Sequence, residues 1–361
     1  MTRGYNFGAG PAMLPESILR EAQAELLDWH GLDMSILEVG HRTAQFTQLM
    51  ADAEADLREL LLIPDDYHVL FLTGAARTQF AMVPMNLLHP PQQGGYLVSG
   101  VWSALAYQEA ARLSSAYCVA SSASSDFYEL PVFDASALRD ETSYVYYTPN
   151  ETINGIRFPT QPEVFDRPLV ADMTSCLLSE PLRVTDFGLI FAGSQKNIAP
   201  AGLTIVIVRA DLLEVPPASC LPTMFDYRTH VAERSLYATP ATFQCYFAAK
   251  MFQWIKTQGG VDALYQLNCQ KSAKLYAYID SSSCYHAPVT PSARSLMNVC
   301  FTLSDQRREG EFLRRAHDCR LYALQGHRLV GGFRASLYNA MPLSGVDALI
   351  AFMQDFAARV A

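Results

Sequence analysis

A lysine set between two short apolar runs is the first residue whose position suggests chemistry. Lys196 lies in Ala192-Gly193-Ser194-Gln195-Lys196-Asn197, after the strand-like Leu189–Phe191 and before the strand-like Leu203–Val208. Burial between strands lowers an amine's pKa and makes it nucleophilic enough to form a Schiff base with a carbonyl. A lysine at the exposed end of a strand is the competing reading. An aspartate upstream bears on the choice. Pro168-Leu169-Val170-Ala171 ends in Asp172, 24 residues before Lys196. A carboxylate at the carboxyl end of a parallel strand faces the crevice where α/β sheets bind ligands. Such a carboxylate can keep the ring nitrogen of pyridoxal phosphate protonated, so that the ring acts as an electron sink. Taken alone, Asp172 would serve equally well as a helix N-cap.

A cofactor that carries a phosphate needs an anion site. Thr73-Gly74-Ala75-Ala76-Arg77-Thr78-Gln79 follows the apolar run Val69–Leu72 and opens a helix. Small residues let backbone approach a phosphate, and helix N-termini favour anions. The segment is not a Walker loop, because no Gly-Lys-Ser/Thr follows. Gly8-Ala9-Gly10 is not a dinucleotide fingerprint, because Met13 stands where the third glycine belongs. Trp102 follows the run Tyr96–Ser99; its ring could lie flat on a cofactor or belong to the core.

Two basic clusters stand out. Gly40-His41-Arg42 precedes a helical stretch, and Gly326-His327-Arg328 lies near Gly331-Gly332-Phe333-Arg334. Arginine forks match carboxylate and phosphate bidentately. The net charge is −9, which excludes a basic footprint for nucleic acid. It also means that an anionic substrate must be held by a local cluster against the field of the whole protein. Surface charge in glycine-rich turns is the bland alternative.

The elements that would position these residues follow from periodicity. Pro15 to Trp29 reads as a helix with Ile18, Ala22 and Leu26 on one face, and Thr43 to Leu62 as a second. From Tyr67 onward, apolar runs alternate with helical stretches: Val69–Leu72, Tyr96–Ser99, Tyr144–Tyr147, Leu169–Ala171, Leu189–Phe191 and Leu203–Val208. That alternation predicts an α/β domain with a largely parallel sheet, here bounded at residues 1–258. Residues 259–361 predict a smaller α+β domain. It begins with a long helix from Gly259-Gly260. Strands at Met297–Leu303 and Phe333–Leu337, a charged helix around Arg307–His317 and a last amphipathic helix through Val346 to Val360 follow.

The chain has 361 residues, half of them hydrophobic, enough for more than one domain. No run is long and apolar enough for a membrane span, and Met1 to Pro11 lacks an apolar leader core. A cytoplasmic enzyme is the expectation. The eight cysteines form no CxxC pair and no zinc-ligand spacing, so no metal is expected and the thiols are expected to act as small buried hydrophobes.

The motifs together resemble the phosphoserine aminotransferases, class V pyridoxal-phosphate enzymes of fold type I. The likeness runs the length of the chain. It rests on Asn6-Phe7 with Gly10-Pro11-Ala12-Met13-Leu14-Pro15, Glu38-Val39 with His41-Arg42, and Pro149-Asn150-Glu151-Thr152-Ile153 with Gly155. It continues in Gly193 to Ile198 with Gly202-Leu203-Thr204, and in Gly326-His327-Arg328 with Gly331 to Ser336 and Tyr338-Asn339-Ala340. The resemblance implies a large domain with a mostly parallel seven-stranded sheet. It implies that Lys196 carries pyridoxal 5′-phosphate as a Schiff base, Asp172 binds its ring nitrogen, Thr152 reaches its phenolic oxygen and Trp102 stacks on its ring. Ala76, Arg77 and Gln195 would line the phosphate region, joined by Ala238 and Thr239 from the second subunit of a homodimer. His41 and Arg42, also from that subunit, would join His327 and Arg328 at the substrate phosphate. Arg334 would take the α-carboxylate, with Ala9 nearby.

The implied reaction is transamination between L-glutamate and 3-phosphohydroxypyruvate, giving O-phospho-L-serine and 2-oxoglutarate in serine biosynthesis. A related phosphorylated substrate, giving 4-phosphohydroxy-L-threonine on the route to pyridoxal phosphate, is a second possibility at the level of the family. Four positions depart from the pattern: Ala75 and Ala76 replace glycines, Ala238 an asparagine and Ala9 a serine. Each exchange is tolerable if position 76 needs no positive φ, since one net hydrogen bond contributes about 1 kcal/mol. Cysteine desulfuration on the same scaffold would need a cysteine on a mobile loop, for which only Cys284 is placed. A small-substrate aminotransferase would have no use for two His-Arg pairs. A regulatory protein without turnover would not need both Lys196 and Asp172.

Overall fold

The computed structural model describes residues 3–360. Met1, Thr2 and Ala361 lie outside the described residues, and with them the first two positions of the segment read as lacking a leader core. Helix α1 (Glu16–Ala24) starts after Pro15 and stops short of Trp29, leaving Leu26 and Leu27 exposed. Helix α2 (Ala44–Leu61) is capped by Thr43, whose hydroxyl accepts the Phe46 N–H at 3.3 Å. Phe46, Met50, Ala53, Leu57 and Leu61 form its buried stripe, the i, i+3, i+4 pattern of a helix with one face on a core.

The alternating section follows: β1 (Tyr67–Thr73), α3 (Gln79–Leu87), β2 (Gln93–Val98), α4 (Val101–Leu113), β3 (Ala116–Ser121), β4 (Thr142–Tyr147), β5 (Leu169–Asp172), β6 (Leu189–Gly193) and β7 (Leu203–Arg209). They form one seven-stranded sheet in the order β1-β7-β6-β5-β4-β2-β3. Strand β7 runs antiparallel to both of its neighbours, and the other pairings are parallel. Alternate residues feed two separate cores. Phe71, Ile205 and Ile207 pack on one face, while Leu70, Leu72 and Val206 pack on the other. A sheet covered on both faces explains why its strands read as unbroken apolar runs.

Downstream lie α5 (Tyr227–Ala232), α6 (Thr242–Thr257), α7 (Gly260–Ser281), β8 (Tyr285–His286), β9 (Asn298–Leu303), α8 (Glu309–Asp318), β10 (Phe333–Ser336) and α9 (Leu343–Val360). Strands β8, β9 and β10 make an antiparallel sheet with its own core of Phe301, Phe312, Phe333, Phe352 and Phe356. Helix α7 spans both regions: Val261 and Leu264 belong to a core of the large sheet, Leu275 and Ile279 to the C-terminal core. The N-terminus joins the C-terminal core through Phe7, and Tyr5–Asn6 pairs in parallel with Leu321–Tyr322.

One compositional expectation fails. Only Cys176, Cys245 and Cys300 are buried, whereas Cys118, Cys220 and Cys319 are exposed and the rest intermediate. Cys118 stands on the edge strand β3, and Cys220 and Cys319 lie outside the helices and strands. No helix among the described residues is long and apolar enough to cross a membrane, and no metal-binding cluster occurs among them.

Candidate active site

Five strands deliver side chains to one edge of the sheet. Strands β1, β2, β4, β5 and β6 share a direction, so their carboxyl ends open on the same side. The chain beyond β1 supplies Ala75, Ala76 and Arg77; beyond β2, Trp102; beyond β4, Thr148, Asn150 and Thr152. Strand β5 ends on Asp172, and the turn after β6 carries Gln195 and Lys196. These residues line a cavity of about 470 Å³, closed from the C-terminal region by His327 and Arg334 and from the N-terminal region by Ala9 and Gly10. The carboxyl edge of an α/β sheet is where ligands bind, since loops there converge without backbone filling the space.

Lys196 is half-buried at this cavity. Burial pulls its amine down to about 8; the Asp172 carboxylate opposes that effect and the Arg334 guanidinium adds to it. Asp172 is itself buried, which pushes its carboxyl above the ordinary aspartate range; the Thr174 hydroxyl and backbone and the charge of Lys196 pull the other way. The Thr174 N–H donates to Asp172 Oδ1 at 3.0 Å, and the Thr174 hydroxyl accepts the Gly193 N–H at 3.1 Å. Asp172 therefore closes a turn rather than capping a helix. The same threonine ties the ends of β5 and β6, and with them the aspartate and the lysine, into one rigid corner.

The Trp102 ring borders the cavity with two cations beside it. Lys196 Nζ lies 6.0 Å and Arg77 Cζ 5.3 Å from its centroid. The indole Nε1–H donates to Thr152 Oγ1 at 3.0 Å. Arg334 Nη1 donates to the Thr152 carbonyl oxygen at 2.9 Å. Burial lowers the His327 imidazole's pKa, and the charges of Arg334 and Arg328 lower it further.

A seam of buried polar groups holds the C-terminal region against this corner. Asn150 Nδ2 donates to Ser175 Oγ at 2.8 Å and to Asn298 Oδ1 at 2.9 Å. The Asn339 N–H donates to Asn197 Oδ1 at 3.1 Å, next to Lys196, and the Tyr338 hydroxyl to the Ala9 carbonyl at 3.0 Å. Lys271 is fully buried behind that loop, its Nζ donating to the carbonyls of Leu337, Tyr338 and Met341 at 2.8, 2.9 and 3.1 Å.

The aminotransferase class-V family matches residues 4–349. The phosphoserine aminotransferase of Legionella pneumophila (strain Lens) is 58% identical over 99% of this chain and 98% of its own length. That of Hahella chejuensis is 50% identical, with 99% of both covered. The chain belongs to the class-V aminotransferases. Among solved structures of the family, the Bacillus circulans subsp. alkalophilus phosphoserine aminotransferase superposes with a TM-score of 0.96 at 41% identity, covering 99% of each chain. The pyridoxal-phosphate-bound enzyme of Trichomonas vaginalis gives 0.93 at 37%, covering 98% of this chain and all of that one.

This class-V aminotransferase brings ten of the expected residues to the cavity wall: Ala9, Ala76, Arg77, Trp102, Thr152, Asp172, Gln195, Lys196, His327 and Arg334. His41, Arg42, Ala238, Thr239 and Arg328 are not among its lining residues, and Arg42, Ala238, Thr239 and Arg328 are exposed. The alanine departures strain nothing. Gly74 alone carries the positive φ, +122°, while Ala75 has φ −89° and Ala76 does not lie in the left-handed region. Several lining residues carry no signal of their own in the sequence: Phe80, Thr148, Asn150, Thr174 and Ser175. Each is an ordinary polar or apolar type; Thr148, Asn150, Thr174 and Ser175 lie just beyond the ends of β4 and β5, and Phe80 lies in α3.

Proposed function

We propose that the chain catalyses reversible amino transfer from L-glutamate to 3-phosphohydroxypyruvate, giving O-phospho-L-serine and 2-oxoglutarate, with pyridoxal 5′-phosphate held in the cavity. The observation that carries the reading is that the Lys196 amine and the Asp172 carboxylate line one cavity beside the Trp102 ring. The similarity to phosphoserine aminotransferases over nearly the whole chain supports the choice of substrates.

The residues present suit that cofactor. The cavity volume falls within the range of small-molecule sites, roughly 300 to 1,000 Å³. A buried carboxylate, an amine with a lowered pKa, an aromatic face, a hydroxyl and a guanidinium converge on it. Bound there, pyridoxal 5′-phosphate supplies an electron sink for the substrate α-carbon and carries the amino group between two half-reactions. Asp172 holds a proton on the ring nitrogen. Lys196 Nζ would hold the cofactor and, once free, would serve as the general base and then the general acid for the substrate α-proton. Trp102 fixes the ring plane, and the Thr152 hydroxyl holds the phenolic oxygen. Gln195 and Arg77, with the backbone at Ala76, hold the cofactor phosphate. Arg334 takes the α-carboxylate common to both substrates, and His327 and Arg328 take the phosphate of one and the γ-carboxylate of the other.

The working unit in this reading is a cytoplasmic homodimer with shared sites. His41 Nε2 is buried without a hydrogen-bond partner among the described residues. Arg42, Ala238 and Thr239 are exposed away from the cavity of their own chain. A second copy gives these residues a use: the partner subunit's His41 and the partner subunit's Arg42 complete the substrate-phosphate site, and the partner subunit's Thr239 and the partner subunit's Ala238 the cofactor-phosphate site. Residues 1–258 then act as the cofactor-binding domain, and residues 259–361 as the smaller domain that brings in His327 and Arg334. The eight free thiols suit a reducing compartment.

A half-reaction tests the proposal. Protein with pyridoxal phosphate bound is mixed separately with O-phospho-L-serine, L-serine and L-alanine, and the visible band of the lysine-bound cofactor is followed. Rapid bleaching by phosphoserine alone is the expected result. Bleaching by serine or alanine with phosphoserine inert would overturn the substrate while keeping the enzyme class.

A further inference from the structure

Helix α4 begins on a residue with no side chain to cap it. Its N-cap is Gly100, and the preceding Ser99 keeps its hydroxyl buried without a hydrogen-bond partner among the described residues. A helix leaves its first amide N–H groups without intrahelical partners, and burial makes an unmet donor costly. Here the acceptor comes from across the sheet edge. Glu151 Oε2 accepts the Trp102 N–H at 3.0 Å, and Oε1 accepts both the Ser103 N–H and the Ser103 hydroxyl at 2.7 Å. Glu151 is fully buried, and none of the established features of the reaction uses it.

The fit is close enough to dictate the residue at the cap. A Cβ on Gly100 would stand 2.4 Å from Glu151 Cδ and 2.7 Å from its Oε2. A serine or aspartate, the usual N-cap, cannot occupy this position while Glu151 does. The distant carboxylate therefore replaces a local cap: it takes the N–H groups of the second and third helical residues, Trp102 and Ser103, from the residue next to Thr152. Trp102 is the second residue of the helix, so the carboxylate that holds its backbone sets where its ring points. The indole N–H can only donate, so Thr152 Oγ1 must accept from it. The single hydroxyl proton of Thr152 is then left to point elsewhere, and Thr152 lines the cavity.

We propose that Glu151 is a positioning residue that caps helix α4, fixes the Trp102 ring and, through the indole N–H, commits the Thr152 hydroxyl to donate into the cavity. The inference rests on the transaminase reading for what occupies the cavity, but not for the contacts themselves. Burial pushes the Glu151 carboxyl up to about 7, and the hydrogen bonds from Ser103 and Trp102 pull the other way.

The test compares wild type with Glu151→Gln, which keeps the shape but turns an amide NH₂ toward one of the helix donors. Two readouts are independent of turnover: the dissociation constant of pyridoxal phosphate, and the indole N–H resonance of Trp102, one of three tryptophans, in cofactor-free protein. In Glu151→Gln the Trp102 resonance shifts and its exchange with solvent quickens. Cofactor affinity and kcat each fall about tenfold, the scale of one charge-assisted hydrogen bond, while KM for phosphoserine moves less than about twofold. Unchanged resonance and cofactor affinity, with or without a lower melting temperature, would overturn the proposal. If Glu151→Gln does not fold, Gly100→Ala displaces the same carboxylate and is read by the same two measurements. A wild-type protein that binds no cofactor would sink the transaminase reading, yet the cofactor-free resonance would still decide the role of Glu151.

Discussion

Replacing Lys271 by methionine removes a charge that the reaction never touches. Its ammonium is fully buried and donates to three carbonyls, those of Leu337, Tyr338 and Met341. Burial pulls the amine down to about 7, and the three acceptors favour the ammonium, which has three donors where the neutral amine has two. Methionine is unbranched and of similar length, so Lys271→Met leaves little cavity. It leaves three buried carbonyls without their donor. At ~1 kcal/mol for each net hydrogen bond, the three contribute about 3 kcal/mol. Relief of the ammonium's desolvation offsets part of this, but removing one side of a buried polar cluster is destabilising where replacing both sides need not be. At about 2–4 °C per kcal/mol, thermal unfolding should fall by at most roughly 6 to 12 °C, and by less in proportion to that relief. The same loop places Asn339 against Asn197 and the Tyr338 hydroxyl on the Ala9 carbonyl, so cofactor retention should weaken as well. Differential scanning calorimetry with and without cofactor reads both effects. A Lys271→Met protein that melts with wild type would refute the view that these carbonyls depend on the lysine.

Other expectations follow from the site. Because the Lys196 amine reacts only when neutral and burial holds it near 8, the rate at which cofactor-free protein recaptures pyridoxal phosphate should rise with pH through that value and then level; a midpoint at the ordinary lysine value of 10.5 contradicts the burial argument. Asp172→Asn keeps the side chain's shape but not its charge, so cofactor should still bind while kcat in steady-state assays falls by about a hundredfold or more; near-normal turnover would remove the proton-holding role. Arg328→Ala, and Arg42→Ala in the same assay, should raise KM for phosphoserine about tenfold and KM for glutamate by less, because a doubly charged phosphate gains more from an arginine fork. Equal rises would mean that these arginines do not select phosphate.

The large sheet was legible because its strands are covered on both faces. Leu203–Val208 is apolar at nearly every position and buried at all of them, so its run stood out and its ends shifted by only a residue. Strand β3 was not legible. Ala116–Ser121 lies at the sheet's edge and leaves every position but Tyr117 at least partly exposed, so it offers neither a run nor a clean period of two. Helix α6 hides for the opposite reason. Tyr246, Phe247, Ala248 and Ala249 are consecutive and all buried, which erases the single stripe that marks a surface helix. At the site, Lys196 and Asp172 stood out because a charge after an apolar strand is conspicuous. Glu151 did not, because its partner is a helix end 49 residues earlier, whereas capping rules look only a few residues along the chain. His41 and Arg42 were suspected by type alone. They do not line the cavity of their own chain, so only the resemblance assigns them to the substrate.

Lys196 is the residue proposed to carry the cofactor. Sodium borohydride makes a lysine–cofactor bond permanent, and mass mapping of peptides from the reduced protein then locates it. The account predicts one added cofactor per chain, on the peptide containing Lys196. Its absence from that peptide, or its presence on another lysine such as Lys271, would contradict the account at its base.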